Sequence, residues 1–250
     1  MKTMKRGPDW RLAALGLACA LWVRPGAASG LQVAPISLSL RAEQNADGLW
    51  LSNTGDAPIH AQVRVFHWTQ DNGRDQLTPT HDLAISPPMI RLAPGQRQLV
   101  RVIRSVAAPR GREDAFRVLI DELPVSDNGR EDAGVQFVLS YSVPVFLVPS
   151  GDVAPEPALD ARLVSDGKQS RLIVTNSSDR HARIAHLTFV DAAGKRSVLT
   201  PGLLGYALPG QRMQWTLQAP PGLFARGGSL AARINDETAE RTLAPGNADR

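Results

Sequence analysis

The stretch Val135-Gln136-Phe137-Val138-Leu139-Ser140-Tyr141-Ser142-Val143 decides how this chain is read. Side chains of an extended strand alternate between its two faces, so Val135, Phe137, Leu139, Tyr141 and Val143 form one apolar row. The opposite face carries Gln136, Val138, Ser140 and Ser142, mostly small or polar. Such a strand either covers the core of its own domain or offers its row to another protein. Its surroundings decide between the two.

Working outward, residues 31–149 read as short strands separated by turn chemistry. The expected strands are Val33–Leu40, Gly48–Asn53, Ala61–Trp68, Leu83–Ile85, Gln98–Ser105, Phe116–Leu123 and Val135–Leu147. Between them lie Asn53-Thr54-Gly55-Asp56, Asp71-Asn72-Gly73, Ala93-Pro94-Gly95 and Asp127-Asn128-Gly129, residues that turns favour for their backbone freedom or local hydrogen bonds. Long helical periodicity is missing. This spacing predicts an immunoglobulin-like sandwich. Residues 150–157, with Pro155 and Pro157, read as a short, stiff linker.

Residues 158–243 repeat the pattern, with strands expected at Ala161–Leu163, Arg171–Thr175, Ala182–Val190, Met213–Leu217 and Leu230–Ile234. An internal echo accompanies it. Leu49-Trp50-Leu51-Ser52-Asn53 precedes Leu92-Ala93-Pro94-Gly95-Gln96-Arg97, and Leu172-Ile173-Val174-Thr175-Asn176 precedes Leu208-Pro209-Gly210-Gln211-Arg212. The fold class expected is all-β, two immunoglobulin-like β-sandwich domains in tandem. Residues 244–250 are expected to be a disordered tail.

Residues 1–29 read as a secretory signal peptide. Lys2, Lys5, Arg6 and Arg11 precede the apolar run Leu12–Val23, too short for a bilayer span, and small residues follow it. The first thirty residues hold five of the 28 basic and one of the 24 acidic residues, so 23 of each sign remain and the rest of the chain is neutral. The basic stripe of a nucleic-acid binder is absent. Cys19 is the sole cysteine and lies in the leader, which excludes disulfides, thiol catalysis and cysteine-held zinc from the remainder.

With these segments in place the chain resembles the PapD-like periplasmic pilus-assembly chaperones of the chaperone–usher pathway over residues 31–243. Ser86-Pro87-Pro88-Met89-Ile90-Arg91-Leu92-Ala93-Pro94-Gly95-Gln96 is similar to the family's double-proline segment. Glu113-Asp114-Ala115-Phe116-Arg117-Val118-Leu119-Ile120-Asp121-Glu122-Leu123-Pro124 resembles its sixth-strand signature, and Val135–Val143 sits where the last strand of the first domain belongs. The resemblance implies a periplasmic protein that caps and folds pilus subunits by lending them that strand, then delivers them to an outer-membrane usher. It implies that Val135, Phe137, Leu139, Tyr141 and Val143 form the subunit-binding row. Backbone hydrogen bonds would supply affinity and side-chain pockets register. An unloaded edge of this kind invites self-association or a covering loop at Pro124–Gly134.

The chain also departs from the family. The resemblance puts Ser37 and Pro144 where an Arg and a Lys would grip the subunit's terminal carboxylate, so that grip is not carried over. Arg41 and Arg101 are read as solvated face residues. Glu113 and Asp236 match acidic positions that fix the interdomain angle in the family, but their basic partner would fall at Val148, so no such bridge is expected.

Other chemistry is not indicated. His60, His67, His81, His181 and His186 lack metal-ligand spacing and read as surface or loop residues. Asp71-Asn72-Gly73-Arg74-Asp75 lacks the later glutamate of a calcium loop and reads as a hairpin turn. Trp50, Trp68 and Trp215 are expected in the core. No catalytic residues, metal ligands or cofactor motif emerge, and no enzyme is expected. Two alternatives remain: a pilus structural subunit or adhesin, disfavoured by two domains without a disulfide, and an exported carbohydrate-binding sandwich, disfavoured by an aromatic content of 5%.

Overall fold

The computed structural model describes residues 30–124, 138–151, 157–165, 169–220 and 222–245, and it is all-β apart from one short 3-10 turn. In the first half the strands are β1 (Leu31–Ala34), β2 (Leu38–Leu40), β3 (Ala46–Asn53), β4 (Ile59–Asp71), β5 (Arg74–Pro79), β6 (Leu83–Ser86), β7 (Met89–Leu92), β8 (Arg97–Arg104), β9 (Asp114–Leu123) and β10 (Ser140–Leu147). They form two facing sheets, one ordered β1-β3-β8-β6 and the other β2-β10-β9-β4-β5, with β7 also on β4. Leu49, Leu51, Val100 and Val102 of the first sheet meet Val63, Phe116, Val118 and Ile120 of the second in one buried core. Each such side chain contributes roughly 1.5–3 kcal/mol on burial.

The expected single strand Val33–Leu40 is two. Pro35 has no N–H to continue the pairing of β1 with β3, and the chain crosses to the other sheet, where β2 runs parallel to β10 with Leu38 opposite Val145. β5 and β7 were not legible as strands. β5 is wholly exposed, so it lacks the alternation that marks a half-buried strand.

The second half contributes β11 (Leu159–Ser165), β12 (Ser170–Asn176), β13 (Ala182–Asp191), β14 (Arg196–Ala207), β15 (Arg212–Leu217), β16 (Gly228–Ile234) and β17 (Arg241–Pro245). The orders are β11-β12-β15 and β14-β13-β16-β17, around a core that includes Leu172, Val174, Ile184, Leu187 and Phe189. β17 pairs with β16 as far as Pro245, so Ala244 and Pro245, expected in the tail, belong to the sheet. Among the described residues no helix is long and apolar enough to cross a membrane.

The internal echo has a structural basis. The Asn53 side-chain amide donates to the carbonyls of Ala57 and Leu92, at 2.8 and 3.1 Å, and its Oδ1 accepts from Gly55 N–H. Asn176 does the same with Arg180, Ala207 and Ser178. Each Asn also sends its own N–H to the carbonyl of the glutamine in the Pro-Gly-Gln turn, Gln96 or Gln211. The glycine of each turn, Gly95 at φ 72° and Gly210 at φ 68°, takes the left-handed conformation that glycine adopts without steric cost. One device therefore closes both sandwiches.

Trp68 is buried as expected, and Trp215 packs on the second core. Trp50 is not in the core: it is 40% exposed, with the Arg97 guanidinium 4.0 Å above its ring. Leu49 and Leu51 take the inward positions of β3, which turns Trp50 outward.

Candidate functional site

β10 pairs with β9 along its whole length but with β2 only from Val145 onward. Among the described residues nothing pairs with the other edge of Ser140–Pro144. Backbone parity follows from one bond, the donation of Glu122 N–H to the Leu139 carbonyl at 2.9 Å. In an antiparallel ladder successive residues aim their backbone groups at opposite sides. Odd-numbered residues of β10 thus bond to β9, and the groups of Ser140, Ser142 and Pro144 point to the open edge. Val148 N–H, reaching the Leu40 carbonyl at 2.9 Å, follows the same parity. Pro144 costs the β9 ladder no hydrogen bond, because its missing N–H falls on the open side.

The apolar row emerges gradually from the domain's own core. Val145 and Leu147 are fully buried, Val143 is 4% exposed, and Leu139 and Tyr141 are half-buried against the same core. Val143, expected in the row offered to a partner, is buried in the core of the first sandwich in this partner-free chain. The even spacing identified its face correctly, but the facing sheet extends far enough to cover it. The Tyr141 hydroxyl donates to the Leu31 carbonyl at 2.5 Å, tying the row to β1. Val135 and Phe137 lie outside the described residues.

The other face is pinned by charge. Asp121 accepts from the Ser140 hydroxyl at 2.6 Å and from Arg64 at 2.7 Å. The Ser140 bond is the largest influence on the Asp121 carboxyl and, with Arg64, holds it below its ordinary value of 3.8 against the opposing effect of burial. Arg117 stands opposite Pro144, its guanidinium 3.7 Å above Trp68, 5.3 Å from the Tyr206 ring and within 3.4 Å of the Ser142 carbonyl. Burial lowers its pKa and outweighs the attraction of Asp75. Tyr206 is pushed up, chiefly by burial.

Below this edge the two sandwiches meet. Trp68, Ala115 and Phe146 of the first form a small apolar cluster with Tyr206 and Leu208 of the second. Beside it lies a cleft of about 550 Å³, lined by Ser37, Ser39 and Phe146 on one side and by Arg180, His181 and Arg183 on the other. Ser37 and Pro144 bring no charge, as expected; the cleft's cations come from the second sandwich. Arg183 is held by Asp236 at 3.1 Å. Arg101 lies in β8, on the sheet opposite β10, and Arg41 is exposed at the end of β2.

The absence of an interdomain bridge is corrected. Glu113, whose side chain is 2% exposed, accepts from the His181 N–H at 2.8 Å and lies 2.7 Å from His181 Nδ1. The His181 ring stacks on Phe146 at 3.6 Å. The basic partner comes from the turn before β13 and not from position 148. A histidine flanked by Arg180 and Ala182 carries no sequence signal of this contact. Glu113 N–H also donates to the Asp179 carbonyl at 2.9 Å. A second contact is made by the hairpin turn at Asn72-Gly73, both residues at positive φ, whose Gly73 bridges to Met213 of β15. A Cβ on Gly73 would come within 2.5 Å of the Gln214 side chain. Among the described residues no group of side chains could hold a metal ion.

Comparison with known proteins decides the family. Residues 30–152 match the family model of the pili and flagellar-assembly chaperones, PapD N-terminal domain. The chain belongs to this PapD-like family. Solved structures extend the likeness to both sandwiches. A chain of the CsuC–CsuE chaperone–tip adhesion subunit pre-assembly complex from the archaic Csu pili of Acinetobacter baumannii superposes with a TM-score of 0.64 at 23% identity, over 85% of this chain and 96% of that one. The YadV chaperone gives 0.61 at 18%, covering 85% and 97%. A chain of the Salmonella enterica SafA pilin–SafB chaperone complex gives 0.59 at 18%, covering 87% and 97%. No curated protein sequence matches. At these identities the PapD-like chain shares the two-sandwich fold with those structures while most of its side chains are its own.

Proposed function

We propose that this protein is a periplasmic chaperone that captures pilus subunits by strand addition at β10, holds them folded, and passes them to an outer-membrane usher. The observation that supports this reading best is the free edge of Ser140–Pro144, continuous with an apolar row and opening beside the interdomain cleft. An incoming strand would take backbone bonds from Ser140, Ser142 and the Pro144 carbonyl, while Leu139 and Tyr141, with Val135 and Phe137 beyond them, would fill pockets in the client. Residues 1–29 would direct export and be removed. Binding and release need no catalysis, cofactor or metal, because a better-fitting strand from the next subunit would displace β10. An unloaded edge would pair with a second copy of the chain.

Periplasmic co-expression with a pilus subunit from the same gene cluster tests this. A one-to-one complex is expected, and Phe137→Asp combined with Leu139→Asp is expected to abolish it. A subunit rescued equally well by the double variant overturns the proposal.

A further inference from the structure

The duplicated turn provides an internal control that exposes a device between the sandwiches. In the first sandwich Gln96 closes its own turn, its Oε1 accepting from Ala93 N–H at 2.9 Å. The echo places Leu208 and Gln211 where Ala93 and Gln96 stand. Yet Leu208 N–H donates at 2.9 Å to Oε1 of Gln70, a residue of β4 in the other sandwich. Gln211 Oε1, freed from its turn, accepts instead from the backbone N–H of Gln70. The Gln70 amide completes the exchange by donating to the Tyr206 carbonyl at 2.7 Å and to Asp75 at 3.0 Å. Gln70 is 7% exposed, so each of these groups would be costly to leave unpaired.

We propose that Gln70 and Gln211 form a releasable latch that sets the angle between the two sandwiches, and thereby the cleft beside the open edge of β10. The swap explains why it is releasable. When the domains part, Gln211 can fold back onto Leu208 N–H as Gln96 does on Ala93, so opening leaves that donor satisfied, and Gln70 meets water. The closed state is favoured by the Gln70–Tyr206 bond, which crosses between the sandwiches, and by the apolar cluster of Trp68, Phe146 and Leu208. Gln70 is a positioning residue in this scheme: it holds the second sandwich where a client strand lying on β10 reaches Arg183 and Ser37. The functional half of this inference rests on the chaperone reading; the mechanical half does not.

The test uses full-length protein with Cys19→Ser and spin labels at Asp56→Cys and Ala193→Cys, one exposed position per sandwich. A single narrow interdomain distance is expected, which Gln70→Leu broadens or shifts. Gln211→Ala, which leaves β4 untouched, is expected to do the same by an independent route, while Gln96→Ala leaves the distance unaltered. Subunit capture, measured with the co-expressed subunit, should fall about tenfold in the Gln70 and Gln211 variants, as expected from losing one or two partly buried hydrogen bonds. Wild-type distances in both variants overturn the latch. A changed distance with undiminished capture overturns its positioning role. Failure of the unaltered protein to capture any subunit overturns the chaperone reading, and the distance measurement still decides the latch.

Discussion

Pro144 stands directly opposite Arg117 in the β9–β10 ladder, with its ring nitrogen turned to the unpaired side of the strand. The pair marks where a covered edge becomes an open one. Pro144→Ala is expected to leave the β9 ladder intact while adding a donor to the open edge. Greater self-association of the unloaded protein, read by sedimentation velocity, is the outcome anticipated. No change in mass distribution would show that the edge is shielded by something other than the proline.

The row itself divides at Tyr141. Val143→Asp buries an unpaired carboxylate in the first core and should cost several kcal/mol, on the order of 3 or more, in urea unfolding. Leu139→Asp lies where the core thins out, and should leave the unfolding midpoint near wild type while abolishing subunit capture. Equal destabilisation by both would mean that Leu139 is as much a core residue as Val143.

Removal of the Glu113 carboxylate, whose side chain is 2% exposed, by Glu113→Ala leaves the His181 N–H and ring without their acceptor. A loss of about 3 kcal/mol is expected from chemical unfolding at neutral pH. Val148→Ala, the position at which the family pattern would put a basic partner, should cost far less.

The Asp121 carboxyl is held below 3.8 first by Ser140 and then by Arg64. A carboxyl depressed in the folded state adds stability above its unfolded value, and that contribution fades as pH falls through the folded one. Ser140→Ala should therefore raise the Asp121 titration midpoint, followed by carboxyl-carbon NMR, and should weaken the acid sensitivity of β10. The stability change itself is small, because the carboxylate is partly solvated.

Asn53→Ala and Asn176→Ala should each cost about 2–3 kcal/mol, since each deletes an amide that satisfies two carbonyls and a turn N–H. The two losses should be alike in size. Separate spectroscopic probes in each sandwich would reveal whether the damage stays in the half that carries it.

Much of this was legible because it is local. Turn residues such as Asn72-Gly73 announce their backbone geometry, period-two runs announce a face, and the Asn and Pro-Gly-Gln echo announced two related sandwiches. What the sequence hid are relationships across long separations. Alternation told which way Val143 points but not that the opposing sheet reaches far enough to cover it. Trp50 looked like a core aromatic, yet Leu49 and Leu51 already filled the inward positions. Gln70 and His181, polar residues in ordinary surroundings, gave no hint that each finds its partner in the other sandwich, because hydrogen-bond partners leave no periodic trace.

The crossing of the first strand at Pro35 acts as a ruler. Among the described strand residues Ser140–Pro144 are free alongside, a length of roughly 17 Å at about 3.3 Å per residue, before Leu38 claims the lane. Any polypeptide laid there must halt or turn away at Ser37, so the fold dictates where a guest chain has to finish, whatever its sequence.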